Sequence, residues 1–111
     1  MRADNLWGLA QKLLADNRNG DAELFHNLAE TAGGRVELIV STGQVSPPGF
    51  AYDQDEDEWV LVLQGRAVLD VAGERKELGA GDCLFLPRGL KHRVLFTSCE
   101  PACLWLAVFW C

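Results

Sequence analysis

Beyond Gly34 the apolar residues of this chain alternate with a period of two. Turn signals interrupt them roughly every 8–12 residues, the mark of short half-buried strands rather than helices. The strand candidates are 35–41, 58–63, 66–71, 83–86, 92–97 and 102–110, rich in Val, Leu, Phe and Trp. Between them lie Ser46-Pro47-Pro48-Gly49, Ala72-Gly73-Glu74-Arg75, Gly79-Ala80-Gly81-Asp82 and Pro87-Arg88-Gly89, each with the Gly, Pro or Asp that tight reversal needs. Evenly spaced strands with no helix between them predict an all-β sandwich or barrel and exclude a parallel βαβ sheet.

The chain before Gly33-Gly34 reads differently. Leu6, Leu9, Leu13 and Leu14 recur near helical spacing until Asn17-Arg18-Asn19-Gly20 breaks the pattern. This segment, 4–17, fits either a helix or a partly extended arm. A helix over about 22–31 is predicted from Asp21 as N-cap, Leu24, Phe25 and Leu28 as one face, and the Gly pair as its stop. His26 would lie on its polar, exposed side. The division expected is an arm and helix over 1–34 packed on a barrel over 35–111.

At 111 residues there is room for one domain and one core. A net charge of −6 repels a phosphate backbone, so nucleic acid is not an expected partner. No apolar run reaches the roughly 18 residues of a membrane span, and the N-terminal stretch lacks the pattern of a signal peptide. The four cysteines, Cys83, Cys99, Cys103 and Cys111, fall in the last third of the chain and could staple nothing before it. They read as reduced, mostly buried thiols of a cytoplasmic protein.

Two stretches could carry chemistry. Five acids crowd positions 53–58, where like charges repel and favour protonation. Asp55, Glu56 and Asp57 read as a solvated loop. Glu58 instead opens an apolar strand, where a carboxylate can point inward. The second stretch is Gly81, five residues, Pro87, Arg88, Gly89, two residues, His92.

That second pattern resembles the second signature of the cupin superfamily, with Phe96 where an Asn often stands. Glu58, six residues, Gly65 is similar to the end of the first signature. The resemblance covers about 35–110 and implies a double-stranded β-helix, or jelly-roll, barrel with a short helical lead-in. It also implies a divalent metal inside the barrel, held by two His and a Glu from the first motif and one His from the second. Glu58 and His92 stand at ligand positions. The paired histidines fall on Tyr52-x-Gln54, or on Ala51-x-Asp53 by the longer spacing, and neither count supplies one. A His92–Glu58–Gln54–Tyr52 set would hold Zn, Mn, Fe or Ni weakly, or not at all, because carboxamide and phenol are poor substitutes for imidazole. The alternative is a His92 hydrogen-bonded beside Glu58 without metal.

Arg88, Lys91 and Arg93 could recognise an anion at the barrel mouth, or offset the acidic run. Trp59, Trp105 and Trp110 read as core or interface residues. Two functions stay open: an enzyme in which Glu58 and His92 act on a small molecule, and a non-catalytic module that binds or senses one. Glu58–Gln64, through Trp59, Leu61 and Leu63, and the last strand are apolar on both faces, so the outer face needs cover. The expected partners are a small-molecule ligand and a second copy in a two-fold homodimer, the arrangement common in the family resembled.

Overall fold

The computed structural model describes residues 3–17 and 22–111, so the Asp21 cap lies outside the described residues. The segment 4–17 resolves as a helix, α1 (Leu6–Asp16). Asn5 caps it, its side-chain oxygen accepting from the Gly8 amide at 3.0 Å. Leu9, Ala10, Leu13 and Leu14 share one side and pack on Leu38, Val40 and Leu104.

The helix expected over 22–31 is instead a strand, β1 (Leu24–Thr31), paired antiparallel with β2 (Gly34–Ser41). A four-residue gap between leucines satisfies a period of two as well as one of 3.6, which is why the sequence misled. In the strand, Leu24 and Leu28 pack toward α1 while Phe25 turns to the opposite face. The Gly pair ends no helix. It closes the β1–β2 hairpin, and a Cβ on Gly34 would stand 2.5 Å from the Phe109 carbonyl oxygen. His26 therefore sits half-buried on a strand, not on an exposed helix face.

The remaining strands are β3 (Asp57–Gln64), β4 (Arg66–Val71), β5 (Glu74–Gly79), β6 (Cys83–Leu86), β7 (His92–Thr97) and β8 (Cys103–Trp110). They form two antiparallel sheets, ordered β1-β2-β8-β3-β6 and β5-β4-β7. The sheets face each other across one core that joins Ile39, Val60, Val62, Trp105 and Phe109 of the first to Ala67, Leu69 and Val71 of the second. This is the jelly-roll barrel. Strand β5 escaped the sequence reading because Glu-Arg-Lys-Glu leaves Leu78 as its buried side chain, a charged edge that discourages further pairing.

The β3–β4 connection depends on Gly65, held at φ 82. An added Cβ would meet the Ala102 carbonyl oxygen at 2.9 Å and the Cys103 Cα at 3.0 Å. The glycine that ends the first motif is thus required by backbone approach. It also fixes where β3 ends, and the strand leading to it directs Glu58 into the barrel.

Candidate functional site

The register of the sheets explains how two residues 34 positions apart meet. Glu58 lies opposite Phe109 on β8 and Leu86 on β6, so its side chain shares their inward face. His92 lies opposite Val71 on β4, on the inward face of the other sheet. Closing the two sheets brings His92 Nε2 to 3.7 Å from Glu58 Oε1, with both residues buried. Tyr52 forms a bridge with His92 through paired backbone bonds of 2.7 and 3.1 Å, and its ring stacks on the imidazole at 5.2 Å. Gln54 donates its Nε2 to Glu58 Oε1 at 2.7 Å.

These four side chains line one cavity of about 120 Å³ inside the barrel. Its other walls include Phe25, Trp105, Phe109 and Glu23, and no Lys or Arg is among its described lining residues. Glu23, just before β1, accepts a short hydrogen bond from the Ser41 hydroxyl, which accepts in turn from Trp105 Nε1 at 3.0 Å.

Burial sets the charges. It pushes the Glu58 carboxyl up to about 7, more than the Gln54 bond and Arg35 pull it down. It also lowers His92 below the ordinary imidazole value, against the pull of the Leu90 carbonyl. That carbonyl lies 3.2 Å from His92 Nδ1 and can only accept, so Nδ1 carries the proton and Nε2 faces Glu58 as a base. Near neutral pH the pair is a neutral imidazole beside a carboxyl that readily gains or loses its proton. Burial raises Tyr52, and the charges of Glu23 and Glu58 raise it further.

The matches to known proteins agree with this architecture. The cupin domain family (Cupin_2) matches residues 34–109. The chain belongs to the cupin family. A protein of Ralstonia eutropha JMP134, provisionally named a mannose-6-phosphate isomerase, is 36% identical, with 99% of this chain and 98% of that one covered at a TM-score of 0.86. The TT1209 protein of Thermus thermophilus is 20% identical over 99% and 97%, with a TM-score of 0.77. KdgF from Halomonas sp. is 23% identical over 86% and 82%, with a TM-score of 0.69. No curated protein matches the chain.

Cupin barrels often house a divalent ion, but this one offers a poor donor set. Among the described residues no three His, Cys, Asp or Glu side chains are grouped to share a metal. Gln54 turns its NH₂, a donor, toward Glu58, and Tyr52 lays its ring face against His92. Of the four expected ligands one imidazole nitrogen and one carboxyl remain, and Glu23, though it lines the cavity, is not grouped with them, which is too few for a first-row transition ion.

Other sequence expectations meet mixed outcomes. Arg88 pairs with Asp57 at 3.5 Å, and Arg93 donates to the Ser46 and Pro47 carbonyls. Neither these nor Lys91 lines the cavity. Within the acidic run, Asp55 is exposed, but Glu56 is half-buried and pairs with Arg35 at 2.7 Å. The cysteines are free, yet three are exposed and Cys103 alone is buried, its thiol pushed up to about 12. Glu23, Phe25 and Trp105 were missed as cavity residues. Reading 24–31 as a strand would have placed Glu23 and Phe25, two apart, on one face.

Proposed function

We propose that this cupin binds a small, non-anionic molecule in its barrel and moves a proton on it. Glu58 would serve as the acid or base, with neutral His92 as its partner. The observation that carries this is Glu58, buried 3.7 Å from His92 in a cavity whose described walls hold no Lys or Arg. A general acid–base group works best when its pKa is near the operating pH, as Glu58's is. The chemistry would run on these side chains, with weak affinity for Zn, Mn, Fe or Ni.

The relative's provisional name implies aldose–ketose isomerisation of a sugar phosphate. Proton transfer next to a carbonyl suits Glu58 and His92. The phosphate does not, because phosphate recognition calls for Arg, Lys or a helix N-terminus and the described walls of the cavity supply none. We therefore carry over the proton transfer and not the phosphate. The test is deuterium exchange from D₂O into dihydroxyacetone, next to its carbonyl. Exchange above background in the wild type that disappears in Glu58→Gln supports the reading. Equal exchange in both would leave Glu58 without a catalytic part and favour the non-catalytic binding module, a reading helped by the Gln54 bond that already occupies Glu58 Oε1.

We also propose a homodimer joined through the five-stranded sheet. Helix α1 covers the outer face around Leu38, Val40 and Leu104. It leaves Trp59, Leu61, Val108 and Trp110 half-buried, and Phe85, stacked on Trp110 at 5.8 Å, is 49% exposed. A contiguous apolar patch of this kind calls for a partner. Light scattering should give twice the chain mass for the wild type and the chain mass for Trp110→Glu; a monomeric wild type would refute the dimer. The exposed free thiols suit a reducing compartment, and we place the protein in the cytoplasm.

A further inference from the structure

The reading above leaves Glu23 unused, although it lines the same cavity as Glu58. Its orientation is fixed by a chain of donors. Trp105 Nε1 can only donate, so Ser41 accepts there and must spend its one proton on Glu23. Ser41 and Trp105 are buried, at 0% and 4% exposure, which ties the carboxyl of a loop residue to the rigid wall of the barrel. Both carboxyls also act electrostatically on Tyr52, whose side chain lines the same cavity.

Among the described residues no Lys or Arg lines the cavity beside these two groups, and burial raises both. Arg35, which pulls Glu58 down from outside the cavity, lies over the Phe109 ring at 4.1 Å and is engaged by Glu37 and Glu56. Arg93 is turned to backbone carbonyls outside, and His92 is neutral. Around the carboxyls stand the rings of Phe25, Tyr52, Trp105 and Phe109. Carboxylates set among aromatic faces attract one ligand chemistry above others, an ammonium group with apolar substituents.

We propose that the cavity selects a small organic cation, an alkylammonium, drawn by the carboxyls of Glu23 and Glu58 and seated against the aromatic walls. This rests on the barrel being a small-molecule site, and it adds the ligand's charge and a second anchoring residue. The positive charge would replace the missing counter-ion. The alkyl part would displace water from the rings.

Three probes of one shape separate the possibilities: tert-butylammonium, tert-butanol and pivalate. Each is titrated at pH 7.5 while the Trp105 indole N–H resonance is followed by NMR. We expect saturable shifts from tert-butylammonium with at least about tenfold tighter binding than tert-butanol, and none from pivalate. Glu23→Gln should weaken the ammonium by about tenfold and leave tert-butanol unchanged. Tert-butanol or pivalate binding as tightly as the ammonium would overturn the cation inference while leaving a small-molecule site. No shift from any of the three would overturn the site itself. The wild-type series decides between these outcomes even if Glu23→Gln fails to fold; if it folds and keeps full ammonium affinity, Glu23 is no anchor and the proposal fails.

Discussion

The two ends of the barrel interior are built from the same strands to opposite purposes. Where β3 leaves the barrel, Val62 meets Ala67, Leu78 and Cys103 in a packed apolar plug. Where β3 enters, Glu58 meets Gln54, His92 and Tyr52 around a cavity. The plug contributes apolar burial. The cavity holds a carboxyl at the cost of its desolvation. Stability resides at one end and reactivity at the other, and each end should fail in its own way.

The largest effect is expected at the plug. Gly65→Ala forces a side chain into the left-handed region and drives a Cβ against the Ala102 carbonyl and Cys103 Cα, which are backbone and cannot step aside. Ser98 Oγ, which the Cβ would also meet, can turn aside only by giving up its bond from the Arg66 amide. A loss of about 4 kcal/mol is expected from conformational strain plus overpacking. It should be the same at pH 5 and pH 8, as read from denaturant midpoints. A pH-dependent loss would mean that the two ends are coupled.

At the cavity the sign reverses. Burial raises Glu58 from 4.5 to about 7, so the folded protein prefers the protonated acid. This preference stabilises the fold fully below about pH 4.5 and is lost as pH rises through about 7. Glu58→Gln keeps an oxygen to accept from Gln54 and cannot ionise. It should be near neutral at pH 4 and stabilising by about 3 kcal/mol at pH 8. Destabilisation at pH 8 would show that the carboxylate has a favourable partner, and with it the contrast between the ends would fall. His92 works in the opposite direction, its neutral form stabilising the fold above the ordinary imidazole range, but the wild-type-to-variant difference isolates Glu58.

How far the sequence discloses these ends follows from the range of the forces involved. Glu58, His92, Gly65 and the strands around them were legible because motif spacing and the alternation of apolar residues are local. The jelly roll followed from the same marks. Strand β1 was not legible, since Leu24 and Leu28 suit either period and only pairing with β2 decides between them. With β1 unseen, Glu23 and Phe25 could not be placed in the cavity. Strand β5 was hidden by its charges. The metal expectation came from resemblance alone; the orientation of Gln54, which turns a donor toward Glu58, is a three-dimensional fact.

The smallest predicted effect tests the seam between the two ends. Trp105 belongs to the core and also to the cavity wall, and its indole N–H donates to Ser41. Trp105→Phe keeps an aromatic wall but leaves the buried Ser41 hydroxyl without its donor. A loss of about 1 kcal/mol is expected, the net worth of one buried hydrogen bond. If the loss comes from that bond rather than from ring volume, Ser41→Ala must remove it, since no hydroxyl would then remain to be satisfied. Trp105→Phe in the Ser41→Ala background should therefore cost close to nothing, a coupling of about 1 kcal/mol in a double-mutant cycle. Additive losses would assign Trp105 to the apolar plug alone and leave the Ser41–Glu23 pair without its anchor in the barrel wall.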